Sequence, residues 1–228
     1  MTDTGPEPPA FDQMFRNGVR YRPGSGIEAA VEVQDAGMLK LATGGVTACD
    51  PFWGAQVERQ VAPFIVTVPP GRYLVTVSLA RGLLDGPDPA PLLGAAAKLT
   101  IRDEPVVTWE VALRVGQDDT GLQPDQRYTL GVDSGAASLL DASAVGALAA
   151  LDEPGSELDR RFEQVWGKAW VNLVLDQAYG LNIVVFRCGL GDGGYATWIG
   201  RTAAGLPACF VVDLLLLSDG PGPITDQT

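Results

Sequence analysis

Five apolar residues, Val107, Trp109, Val111, Leu113 and Val115, alternate without interruption with Thr108, Glu110, Ala112 and Arg114. A period of two is what a strand needs to put one face in a core and the other near water. No other feature restricts the fold of this chain so strongly. Shorter strand-like runs at 64–68, 73–79, 128–132, 182–188, 195–199 and 208–217 spread the same signal over both halves. The 28 Gly and 17 Pro residues lie between these runs rather than in one tract, so they punctuate many short strands. Cys209 to Leu217 is almost continuously apolar and reads as a central strand buried on both faces.

Several local signals refine this picture. Met38-Leu39-Lys40-Leu41, then Thr43-Gly44-Gly45, then Val46 to Cys49 read as a hairpin, broken by Asp50-Pro51. Asp141 is placed to cap a short Ala-rich helix reaching about Ala150. Ser156-Glu157-Leu158-Asp159 resembles a capping box, and Leu158, Phe162, Val165 and Ala169 follow at helical spacing. The expected fold is therefore α+β and mainly β, with antiparallel, sandwich-like sheets and a helical segment over about 141–170. Residues 1–10 read as a flexible arm, 11–217 as one β-rich domain, and 218–228 as a flexible tail.

Charge and missing residue types exclude whole classes of chemistry. The formal net charge is −12 and the sequence pI about 4.3. Such a chain repels nucleic-acid phosphates and anionic membranes, whereas a protein with a basic surface is an electrostatically suitable partner. Of the 16 basic residues only Lys40, Lys98 and Lys168 are lysine, a bias that reads as the codon usage of a high-GC genome. There is no histidine. Histidine-based nucleophile systems and His-containing zinc sites are therefore ruled out. Cys49, Cys188 and Cys209 are too few and too widely spaced for a disulfide framework or a four-cysteine site, and read as buried thiols in a reducing compartment. No signal peptide and no membrane-length apolar run is visible, so the cytoplasm is the expected location. No cofactor and no bound metal is expected.

Four motifs, taken together, carry a resemblance. They are Gly44-Gly45-Val46-Thr47-Ala48-Cys49-Asp50-Pro51; Val68-Pro69-Pro70-Gly71-Arg72-Tyr73-Leu74-Val75; Val132-Asp133-Ser134-Gly135 with Leu140-Asp141; and Gly189 to Tyr195 followed by Gly200, Gly205 and Val212-Asp213. In this order they resemble the bacterial domain of unknown function 4241 family, from about residue 38 to 215. The resemblance implies no reaction. It favours a protein-binding role of the kind immunity proteins play beside toxins.

The candidate functional residues follow from the same reading. Asp50, Asp133 and Asp192, at element ends, are the candidates for carboxylate chemistry, either as an acid/base pair or as oxygen ligands. Each could equally cap its own turn, as Asp141 and Asp213 could. The glycine-rich 189–194 stretch lacks the following Lys-Ser/Thr and helix that a phosphate loop needs, and reads as a tight strand connection. For a protein partner, the acidic loop residues Asp85, Asp88, Asp118 and Asp119 and the i, i+4 pair Trp166 and Trp170 are the candidates. The leading expectation is a non-catalytic binding protein and, more specifically, an acidic immunity-type inhibitor of a basic toxin or enzyme. A carboxylate–metal hydrolase and a structural or assembly protein are the alternatives, and the sequence leaves the oligomeric state open.

Overall fold

The computed structural model describes residues 6–22, 28–52, 61–82, 92–120, 122–123, 126–151, 160, 167–218 and 222–224. Thirteen strands are named among them: β1 (Arg20–Tyr21), β2 (Ala29–Leu41), β3 (Val46–Cys49), β4 (Gly71–Arg81), β5 (Leu93–Thr100), β6 (Thr108–Val111), β7 (Leu130–Val132), β8 (Ala136–Asp141), β9 (Trp170–Asp176), β10 (Leu181–Arg187), β11 (Gly193–Tyr195), β12 (Thr197–Arg201) and β13 (Pro207–Asp213). One helical turn, α1 (Phe11–Met14), precedes them; a 3₁₀ turn (Ala142–Ala144) leads into α2 (Val145–Leu151). Every strand pairing is antiparallel. Seven strands form one sheet in the order β1-β2-β4-β5-β13-β12-β6, four form a second in the order β3-β8-β10-β9, and β11 pairs with β7.

The two large sheets stack face to face. Leu39, Val75, Val77, Leu79, Leu99, Phe210 and Val212 of the first pack with Val46, Ala137, Leu139, Val184 and Phe186 of the second. Each sheet also has a covered outer face. α1 lays Phe11 and Met14 on the larger sheet, with the Phe11 ring 4.6 Å from that of Trp109 and 6.0 Å from that of Trp198. α2 lays Leu148 on the smaller sheet against Leu140, Ile183 and Val185. Strands buried on both faces lose the polar side of their alternation, which is why β8, β10 and β13 consist almost wholly of buried residues.

This layering corrects several local expectations. The 38–49 segment is no hairpin: β2 and β3 lie in different sheets, and the turn at 42–45 carries the chain across. The 64–68 run forms only isolated bridges, Phe64 to Arg114 and Thr67 to Gly45. The long alternating run yields a four-residue strand at the sheet edge, with Val111 buried but Val107 and Val115 exposed. An edge strand has one neighbour and half a cover, so period two survives there without a core to match. β13 is the expected central strand, between β5 and β12, but it stops at Asp213 rather than running to Leu217. The expected helical reach to Trp170 also fails: residues 167–169 turn and Trp170 opens β9. The capping-box segment 156–159 lies outside the described residues. At the far end, the Ile224 N–H donates to the Arg20 carbonyl, and Pro223 bridges Tyr21.

The sheets are tied as well as stacked. β2 carries a bulge at Ala36, where Gly37 takes φ 85°. Beyond it, residues 38–41 have no strand partner on one side among the described residues. Asparagines from the smaller sheet fill that edge. Asn182 accepts from the Lys40 N–H at 2.9 Å and donates to the Met38 carbonyl at 2.9 Å, while Asn172 donates to the Ala36 carbonyl at 3.0 Å.

Candidate functional site

Three buried aspartates stand at strand ends, each engaged by local donors. Asp50, 1% exposed, follows β3. Its Oδ2 accepts from the Asp133 and Ser134 N–H groups at 2.9 Å each, and its Oδ1 from the Ser134 hydroxyl at 2.7 Å and the Phe52 N–H at 2.9 Å. The carboxylate thus pins the β7–β8 turn to the end of β3. Asp141 caps the 3₁₀ turn through the Ser143 N–H at 2.9 Å and also receives the Thr43 N–H and hydroxyl at 3.0 Å. It anchors the segment that crosses between sheets. Asp213 ends β13 by accepting from the Leu215 N–H at 3.0 Å and the Ser218 hydroxyl at 2.8 Å.

The glycine-rich stretch closes the same end of the sandwich as Asp50. The Cys188 N–H donates to the Gly135 carbonyl, the Gly189 N–H to the Gly94 carbonyl, and the Tyr195 hydroxyl to the Gly191 carbonyl. Asp133 and Asp192 reach this end too, but both are exposed, Asp192 near Gly135. The three candidates for carboxylate chemistry therefore share a neighbourhood without sharing a function. Asp50 spends both oxygens on the fold. Among the described residues, no three His, Cys, Asp or Glu side chains stand close enough to hold a metal ion. The thiols are equally engaged in packing: burial pushes Cys49 and Cys209 up to about 11 and Cys188 up to about 12. A thiol so raised carries almost no thiolate at neutral pH.

The candidate partner-binding residues fall on different elements. Asp118 and Asp119 are exposed in the loop after β6. The Thr120 N–H donates to the Asp118 carboxylate at 2.9 Å and lowers its pKa, so the charge persists in mildly acidic solution. Trp170, on β9, is half-buried against the core, and its indole N–H donates to Gln34 at 2.9 Å. Asp85, Asp88 and Trp166 lie outside the described residues.

One cavity was not visible in the sequence. A space of about 650 Å³ opens between α1, β1 and the turn after β13. Met14, Tyr21, Arg127, Asp213, Leu215 and Leu217 are among its walls. Tyr21 is 1% exposed, its hydroxyl has no hydrogen-bond partner, and burial pushes its pKa up to about 12. Burial also raises the pKa of Asp213, against the pull of Ser218, Leu215 and Arg127. The guanidinium of Arg127 stands 5.4 Å over the ring of Trp198. Asp213 was legible as an element end, but Tyr21 and Arg127 sit in short, patternless segments and gave no signal.

No curated protein and no solved structure matches the chain. A family match does exist, to the family described as "Protein of unknown function (DUF4241)", over residues 39–212. That span contains the Asp50 staple, the Asp141 anchor and the glycine-rich closure. On that match, which covers most of its length, the chain belongs to the DUF4241 family.

Proposed function

We propose that this protein is a non-catalytic binding module that engages a partner with a basic surface, in the manner of an immunity-type inhibitor. The observation that carries this reading is the division of labour among its carboxylates. Of those at the motif positions, Asp50, Asp141 and Asp213 are consumed by backbone N–H groups and hydroxyls of the chain itself, whereas Asp133 and Asp192 are exposed. The charge left over is on the surface, with Asp118 and Asp119 together on one exposed loop. Surface charge of one sign steers association and suppresses wrong partners. No observation comparably favours the hydrolase alternative, since Asp50 has no oxygen to spare.

Affinity capture from the native host's lysate at low and high salt, with wild type and an Asp118→Lys/Asp119→Lys variant, tests the proposal. A single basic partner, lost at high salt and lost with the variant, supports it. A partner indifferent to both changes, or no partner at either salt, removes it.

A further inference from the structure

Phe64 and Arg114 form an antiparallel bridge, and the Ile65 N–H donates to the Leu113 carbonyl at 2.9 Å. Both bridge residues turn inward. Phe64 belongs to the core between the sheets; Arg114 stands 5.4 Å over its ring and donates to the Ala48 carbonyl at 2.6 Å. Side chains alternate along extended chain, so the flanking residues turn the other way. The register puts Ile65 opposite Leu113 and Pro63 opposite Val115 on one outward face. Val115 is 75% exposed, the highest value among the large hydrophobic side chains described, and Ile65 is 54% exposed. Single apolar side chains on a surface are ordinary, whereas a group sharing one face marks a contact surface.

The charge beside this face has one sign. Asp118 and Asp119 follow Val115 on an exposed loop. Arg114 is the only base within 61–68 and 112–120, and it points inward. The loop also holds its shape by its own contacts. The Gln117 side chain accepts from the Arg114 N–H at 2.8 Å, and the Tyr128 hydroxyl donates to the Asp118 carbonyl at 3.0 Å. A surface already ordered loses less entropy on binding. An apolar centre beside a charged rim is how protein–protein contacts are commonly laid out.

We infer that the face carrying Ile65 and Val115 is the centre of the contact with the basic protein partner, with Asp118 and Asp119 as its rim. The surface it fits is an apolar patch bordered by lysine or arginine. A second copy of this chain, itself at net −12, would meet that rim with charge of the same sign. This inference rests on the binding reading above and adds the residues that carry the affinity.

Photo-crosslinking of the full chain in the native host's lysate tests it. The probe is p-benzoylphenylalanine in place of Ile65, of Val115 or, as a control, of Val174. Val174 is exposed on β9, which packs beside β2, whereas β6 and the Ile65 face lie at the other end of the larger sheet. Mass spectrometry identifies each labelled protein. One basic protein labelled from 65 and 115 but not from 174 is expected. Ile65→Ser/Val115→Ser should melt with the wild type, because both side chains are exposed. It should bind that protein at least about tenfold more weakly, the loss of an interface hot spot. A basic partner labelled only from 174, or bound equally by the serine variant, overturns this surface while the binding reading stands. Labelling of a second copy of the chain overturns it as well. No basic partner captured or labelled at any position removes both readings. The crosslinking arm does not use the serine variant, so it decides the matter even if that variant folds poorly.

Discussion

A carboxylate buried at a strand end must collect donors or give up its charge, and Asp50 collects four. Removing it in Asp50→Ala leaves the N–H groups of Phe52, Asp133 and Ser134 without their acceptor. The expected cost is about 3 kcal/mol, as for other buried groups stripped of partners. The exposed Asp192→Ala should stay within about 0.5 kcal/mol of wild type. Urea denaturation of both variants checks this, and a loss below about 1 kcal/mol for Asp50→Ala would show that the staple is dispensable. Asp213 illustrates the opposite balance, because burial outweighs its donors and raises its pKa. A carboxyl with a raised folded pKa holds its proton more tightly in the native state. Its contribution to stability is complete below the unfolded value near 3.9 and is lost as pH rises through the folded value. Asp213→Asn lacks that titration, so the stability of the variant relative to wild type should climb as pH rises from about 4 towards neutrality. Chemical denaturation across that window measures the gap, and a flat or falling gap contradicts the assignment.

At the scale of elements, the weak point of the sandwich is the edge of β2 beyond its bulge. Unpaired strand edges are liabilities, and here two asparagines from the opposing sheet cover one. Asn182 is 6% exposed and serves both Lys40 and Met38. Asn182→Ala should cost about 2 kcal/mol, because it leaves the Lys40 N–H without its acceptor and the Met38 carbonyl with only the longer Asn172 bond at 3.3 Å. Asn172→Ala, at a half-buried position, should cost less. Thermal melts of the two variants rank them, and the reverse order would place the tie on Asn172 instead. Neither asparagine could be identified from the sequence, because the edge they cover exists only once two distant segments meet. The Asp141 cap, by contrast, was legible, since a cap needs only its own next residues. Glycine follows the same division. Gly94 lies inside β5 with no turn to announce it, yet a Cβ there would come within 1.9 Å of the Arg187 carbonyl oxygen. Only the crossing of two sheets makes that contact.

Over the whole molecule, the period-two runs and their Gly and Pro punctuation were enough to specify an antiparallel, mainly β chain with a short helix in its second half. The ordered glycine and aspartate motifs were enough to specify its family. These properties depend on residues close in sequence, where backbone geometry and local hydrogen bonding act directly. Pairing was decided elsewhere. β2 and β3, adjacent in sequence, went to different sheets, and the most regular alternation in the chain became a short edge strand, because burial depends on what covers a face and not on the period that creates it. The same holds for the cavity. Tyr21, Arg127 and Asp213 are separated by about a hundred residues at each step. Their convergence on one space arises only when α1, β1 and the turn after β13 close around it.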